Sequence, residues 1–239
     1  MAGALLEVQG LSKRFGGFTA LNRVSLDVKA GERFGLIGPN GSGKTTLINC
    51  ISGTLRSEGG TIFFTGHDIT GLPAHQRTRL GIVRTFQIPK PFASMTVLEN
   101  LRIPIEYAAH RHGADAVANA MGILELMGLT AKAQVTASAL TQIEMRKLEL
   151  ARALAAKPKL LVADEAMAGL SSGEVDDILT ILFRLNEQGI TIIMIEHIMR
   201  AVMRFSERIV VLDAGDRIAE GTPDEIVKNP AVEKAYLGE

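Results

Sequence analysis

Gly38-Pro-Asn-Gly-Ser-Gly-Lys-Thr45 is the stretch that decides the fold. It matches Gly-x-x-x-x-Gly-Lys-Thr in full and stands between an apolar run at 33–37 and a helical stretch at 44–52. A strand, a glycine-rich turn and a helix in that order make a phosphate cradle. The glycines let consecutive backbone N–H groups turn inward as an anion nest, and the helix N-terminus adds partial positive charge. Lys44 is placed to reach the β- and γ-phosphates of a nucleotide, and Thr45 to ligand Mg2+. The candidate ATP-binding residues are therefore Gly38, Pro39, Asn40, Gly41, Ser42, Gly43, Lys44, Thr45 and Thr46. An ordinary turn at a helix start would leave the Lys-Thr pair at this offset without a reason.

A magnesium shell needs an acid, and Leu160-Leu-Val-Ala-Asp164 is an apolar strand that closes on one. Asp164 is expected to hold Mg2+ through water, while Glu165, just past the strand, polarises the attacking water. Two adjacent carboxylates at a strand end could merely cap the next helix. The cradle upstream favours the catalytic reading.

Working outward, 5–28 alternates apolar and polar residues as a half-exposed antiparallel sheet requires, and 61–64 reads as another short strand. Between 91 and 157 the alternation stops, and Ala, Leu, Met and Glu recur at three- and four-residue spacings over 97–110, 114–127 and 144–156. After Pro158 come near-continuous apolar strands at 160–163, 190–195 and 208–212, separated by helical stretches at 173–187 and 199–205. Such strands imply a parallel sheet covered on both faces. The expectation is one α/β domain over 1–239. Its P-loop NTPase core with an antiparallel β subdomain occupies 1–90 and 158–239, and its helical insertion 91–157.

Composition narrows the field. The 239 residues, 46% hydrophobic, suffice for a sizeable core without staples, and the single Cys50 rules out a disulfide framework and reads as a buried thiol. With 26 basic and 26 acidic residues, the chain carries no global field for gripping a nucleic-acid backbone, so no nucleic-acid partner is expected. The N-terminal residues lack the pattern of a signal peptide, and no stretch reaches the roughly 18 apolar residues of a membrane span. A soluble cytoplasmic protein is expected, one that would serve a membrane by docking onto another chain.

Taken together and in order, these motifs resemble the ABC ATPase family over nearly the whole chain. The resemblance implies that Phe15 stacks on adenine, and that Gln87, in Arg84-Thr-Phe-Gln-Ile88, senses Mg2+ and the γ-phosphate while joining the core to the helical insertion. It implies that His197, after the strand at 191–195, is the switch histidine that orders the attacking water. Ala168-Gly-Leu-Ser171 stands at the D-loop position, with Ser171 where the family has Asp or Asn. Arg14-Phe-Gly-Gly-Phe18, Ile195-Glu-His197 and the ending Ala235-Tyr-Leu-Gly238 are similar to the motor subunits of branched-chain amino-acid importers. The implied partners are transmembrane permease subunits and a second ABC ATPase subunit, with this chain peripheral on the cytoplasmic face of the inner membrane.

One departure stands out. Where the family has Leu-Ser-Gly-Gly-Gln, this chain has Leu140-Thr-Gln-Ile-Glu144. Thr141 keeps a hydroxyl, but Ile143 replaces the glycine that presents its N–H to the γ-phosphate held by the opposite subunit. Losing that charge-assisted hydrogen bond would cost about 1.5–3 kcal/mol, roughly ten- to hundredfold in an equilibrium. A heterodimer with one competent and one impaired site is therefore expected; a homodimer follows if Gln142-Ile-Glu144 adapts locally and still binds phosphate. Two rival functions remain in view. A soluble ABC ATPase acting on a macromolecule should show tandem cassettes, a coiled coil or a basic patch, none of which the sequence carries. A nucleotide-dependent clamp with little turnover would have no chemical need for Glu165 and His197.

Overall fold

The computed structural model describes residues 4–85, 90–107 and 112–237. β1 (Ala4–Phe15) and β2 (Phe18–Lys29) form a long antiparallel hairpin that closes with Phe15 opposite Phe18. β4 (Gly59–Phe64) pairs with the other edge of β1, and β5 (His67–Asp68) completes a four-stranded antiparallel sheet. The expected alternation holds: Leu6, Val8, Val24, Leu26 and Val28 all point inward.

The second sheet has the order β10-β9-β3-β8-β7-β6. Its parallel members are β3 (Arg33–Ile37), β6 (Ile82–Arg84), β7 (Leu160–Asp164), β8 (Thr191–Ile195) and β9 (Arg208–Asp213). β10 (Asp216–Gly221) returns antiparallel along the edge of β9. Successive side chains of a strand leave on opposite faces, and both faces here are dry. Leu36, Leu160, Val162, Ile193, Ile195 and Val210 enter one core with the antiparallel sheet and α1 (Lys44–Ser52). Leu161, Ala163, Ile192, Met194, Ile209 and Val211 enter the other, with α6 (Ser172–Glu187) and α7 (Met199–Phe205). Burial on both faces is why these strands carry no polar alternation.

Between β6 and β7 the chain builds α3 (Val97–Tyr107), α4 (Gly113–Leu126) and α5 (Gln142–Ala155), which pack on one another. Their buried faces, among them Leu101, Ala120, Leu124 and Leu148, join the core under α6 and α7. The helix expected over 97–110 runs to Tyr107, and its last three positions lie outside the described residues. α2 (Ala74–Leu80) and β6 carried no sequence expectation, because seven and three residues are too few to establish a period. The chain closes with α8 (Pro223–Val227) and α9 (Pro230–Leu237). Cys50 is buried in α1 and its burial pushes the thiol up to about 11, which fits an inert packing role. Among the described residues no helix is long and apolar enough to cross a membrane.

Ile193 lies mid-sheet in β8 and is 1% exposed. Truncation to alanine leaves a void between two rigid strands, and urea unfolding of Ile193→Ala is expected to show a loss of about 3 kcal/mol.

Candidate functional site

The parallel register gathers the site. β3 lies beside β8 and β8 beside β7, with Gly35 opposite Met194 and Asp164 opposite Ile195. The phosphate loop, the acidic pair and the histidine therefore emerge at the same edge of the sheet, where open α/β sheets bind ligands. Residues 40–46 of the loop, Glu165 and His197 line a cleft of about 230 Å³ together with Phe15, Phe18 and Ala20 of the antiparallel sheet.

The loop itself depends on glycine where the backbone is left-handed. Gly43, the N-cap of α1, has φ +104, and a Cβ there would stand 2.5 Å from the Ala20 carbonyl oxygen. Gly38 is equally confined, since a Cβ would meet the Leu212 carbonyl oxygen at 2.0 Å. The loop is thus wedged between β2 and β9. Lys44 is buried, and its ammonium donates to the carbonyls of Gly38 at 2.8 Å and Pro39 at 3.0 Å. Burial lowers its pKa, while the nearby charges of Glu165 and Asp164 oppose that shift.

Asp164 is buried at the end of β7 and receives Arg84 of β6, Nε to Oδ2 at 3.1 Å, in an ion pair that sequence reasoning did not anticipate. Arg84 also donates to Asn49 of α1, so one guanidinium joins the acidic strand end to the helix of the cradle. The Thr45 hydroxyl on the cleft and the buried Asp164 carboxylate at the end of β7 are hard oxygen donors, the kind that suits Mg2+. Gln87, the third metal-shell candidate, lies outside the described residues.

Glu165 and His197 meet directly, His197 Nε2 and Glu165 Oε1 being 3.0 Å apart. Glu165 has φ +48, a strained value for a residue with a side chain, and its N–H is held by the Ile195 carbonyl at 2.8 Å. Beneath the pair sits Glu196, 3% exposed. Burial raises its carboxyl to about 7, an effect opposed by the Met167 N–H that it accepts at 2.8 Å, reinforced by the charge of Glu165 and opposed again by that of Arg146.

Phe15 is half-exposed at the hairpin tip, and Phe18 stands beside it on the rim of the cleft. Thr141 and Ile143 do not line this cleft; they form the start of α5. There Thr141 and Glu144 cap each other, Glu144 Oε2 accepting the Thr141 N–H at 2.9 Å. That bond holds the Glu144 carboxyl below its usual range. Ser171 is likewise the N-cap of α6, paired with Glu174. Phe18, Arg84, Glu196 and Tyr236 are the site residues that sequence reasoning passed over. Tyr236, on α9, is exposed, yet local desolvation raises its phenol and the Gly38 N–H opposes that shift, so α9 touches the root of the phosphate loop. The signal for Phe18 and Glu196 was in view, because each stands next to or near a residue already singled out.

A glycine-wedged phosphate loop, a buried acid at the end of β7 two strands away and a Glu-His pair facing a buried lysine define a P-loop ATPase. Comparison with known proteins carries this further. Residues 21–168 match the family model for ABC transporters, and 217–239 match that for the branched-chain amino acid ATP-binding cassette transporter. The chain is 41% identical to the high-affinity branched-chain amino acid transport ATP-binding protein BraF of Pseudomonas aeruginosa, covering all of both chains. It is 40% identical to the LivG protein of the same description from Escherichia coli K12, again over all of both. A solved ATP-binding cassette of an ABC transporter in its ADP conformation superposes with a TM-score of 0.91 at 36% identity, covering 99% of this chain and 100% of that one. A dimeric cassette bound to ADP and Pi superposes with a TM-score of 0.82 at 27% identity, covering 91% and 98%. The chain belongs to the ABC transporter family as its ATP-binding, ATP-hydrolysing cassette.

Two outcomes test this geometry. Gly43→Ala forces a Cβ against the Ala20 carbonyl, and equilibrium dialysis should show MgATP affinity reduced about tenfold or more. Glu196 bears on stability. The unfolded chain ionises this carboxyl near 4.5 and the folded chain near 7. The folded state therefore holds the proton more tightly, and stability from this group, full below the unfolded value, is lost as pH rises through the folded one. Between those values urea unfolding of Glu196→Gln relative to the unsubstituted chain should shift in favour of the variant by about 3 kcal/mol.

Proposed function

We propose that this chain is the motor subunit of an importer for branched-chain amino acids or similar small solutes, working on the cytoplasmic face of the membrane. The observation that carries the reading is the convergence of Lys44, Glu165 and His197 on one cleft in a cassette whose full-length relatives carry that transport function in their names. Glu165 is the general base: its Oε1 takes a proton from the attacking water, and His197 Nε2, 3.0 Å from that oxygen, holds both in line. Lys44 leaves its loop carbonyls to neutralise the γ-phosphate, and Phe15 and Phe18 cover the base. Thr45 and Asp164, with Gln87, would hold Mg2+, which would supply neutralisation of the phosphate charge.

Binding of ATP closes the dimer and hydrolysis reopens it, and the helical unit over 91–157 passes the movement on. The receiving surface in this reading is the groove of about 420 Å³ between Phe92, Ile103, Pro104, Tyr107 and Arg152. Phe92 and Tyr107 are exposed there, as a permease-docking site would require.

In a head-to-tail dimer the start of α5 completes the partner's site. Here it offers the Ile143 side chain, while the Glu144 carboxylate is taken up by the Thr141 N–H and by Lys132 at 3.2 Å. Ile143 supports a heterodimer in which this chain's own phosphate loop serves the competent site and the site completed by its α5 is impaired.

Mg2+-dependent ATP hydrolysis by the purified chain, followed against its concentration with Glu165→Gln as control, tests the motor reading. Turnover is expected to need the partner subunit and to vanish in the control; a control that still turns over would remove Glu165 from the mechanism. Ile143→Gly in the assembled complex should raise turnover, by up to roughly tenfold if one charge-assisted hydrogen bond is regained. An unchanged rate would sink the asymmetric dimer.

A further inference from the structure

Three contacts join the segment 195–197 to the turn that follows β7. The Glu165 N–H donates to the Ile195 carbonyl at 2.8 Å, and the Met167 N–H donates to Glu196 Oε1 at 2.8 Å. The third is the His197 to Glu165 contact at 3.0 Å. Arg146 of α5 also donates from Nη2 to the Ala168 carbonyl at 3.0 Å. The turn that carries Glu165 is thus held by side chains from two other segments.

We propose that Glu196 is a positioning residue for hydrolysis: by accepting the Met167 N–H it fixes the strained turn on which Glu165 stands and locks that turn to the segment bearing His197. The proposal rests on the reading of Glu165 as the base.

The physical reason is the left-handed backbone at Glu165, φ +48, a conformation that persists only where neighbouring contacts over-determine it. Removing the Glu196 acceptor leaves the Met167 N–H buried and unsatisfied, and the turn can then relax toward an ordinary backbone. Burial by itself does not call for a carboxylate here, since an apolar side chain would fill the space without the desolvation penalty. The charged groups facing Glu196 are Glu165 from the turn and Arg146 from α5, with His197 next in its own chain. Arg146 and Thr141 share one helix, so the same contacts run from His197 to the start of α5.

Two substitutions separate reach from charge. Glu196→Gln keeps an oxygen at the same distance and removes the charge. Glu196→Asp keeps the charge and draws the oxygen back by about 1.5 Å, one carbon–carbon bond. Turnover by the assembled complex and MgATP affinity by equilibrium dialysis are measured for both, beside Glu165→Gln. The expected result is that Glu196→Asp loses kcat about tenfold, with Kd for MgATP changed less than about twofold, while Glu196→Gln recovers most of kcat. An active Glu196→Asp, a Glu196→Gln no better than Glu196→Asp, or parallel losses of binding and turnover would overturn the proposal. If Glu165→Gln itself turns over, the base assignment fails instead, so the two failures are distinguishable.

Discussion

Parallel pairing of β3, β8 and β7 is the constraint on which the rest depends. In a parallel sheet every strand delivers its C-terminal end to the same edge, so each following loop opens into one crevice. The order β3-β8-β7 then sets the phosphate loop beside the histidine segment, and that segment beside the acidic pair. Both faces of the sheet must be covered for such pairing, and they are. Side chains that alternate along β7 and β8 divide between two cores, one roofed by the antiparallel sheet and α1, the other by α6, α7 and the helices between β6 and β7.

The site is held by features that work against stability. Gly38 and Gly43 give up side chains so that the loop can approach β2 and β9. Glu165 adopts a left-handed backbone, Lys44 and Asp164 are buried, and Glu196 keeps a carboxyl in a place that pushes it to about 7. Strain and desolvation cluster where geometry must be set in advance of the reaction. Arg84 shows the counterweight: its ion pair with Asp164 and its bond to Asn49 connect three elements around one buried charge. Removing one member of such a pair costs far more than the pair contributes as a whole.

The start of α5 follows a different logic. Thr141 and Glu144 satisfy each other there, so the helix end is capped from within its own chain. Gln142 and Arg146, one turn apart, both reach the Ala168 carbonyl, and the helix thereby braces the turn beyond β7. A segment that the family resemblance assigns to the partner's nucleotide is also a structural support for this subunit's own acids.

His197 entered only through the family resemblance, while the sequence by itself determined the cradle, the two acids, the α/β class and the helical stretch between the halves of the core. These are legible because they rest on local rules: glycine at fixed offsets, periods of two and 3.6, and carboxylates at the ends of apolar strands. β6 and α2 escaped because they are shorter than any period that could reveal them. Arg84 and Glu196 escaped for another reason. Each is one charged residue in a stretch read for its neighbours, and its meaning depends on a partner distant in the chain, Asp164 for the first and Met167 for the second. Phe18 was one residue of a hairpin tip until β2 turned it toward the loop. Only tertiary structure decided which polar groups are buried together, because burial and pairing are properties of packed neighbours and no single segment encodes them.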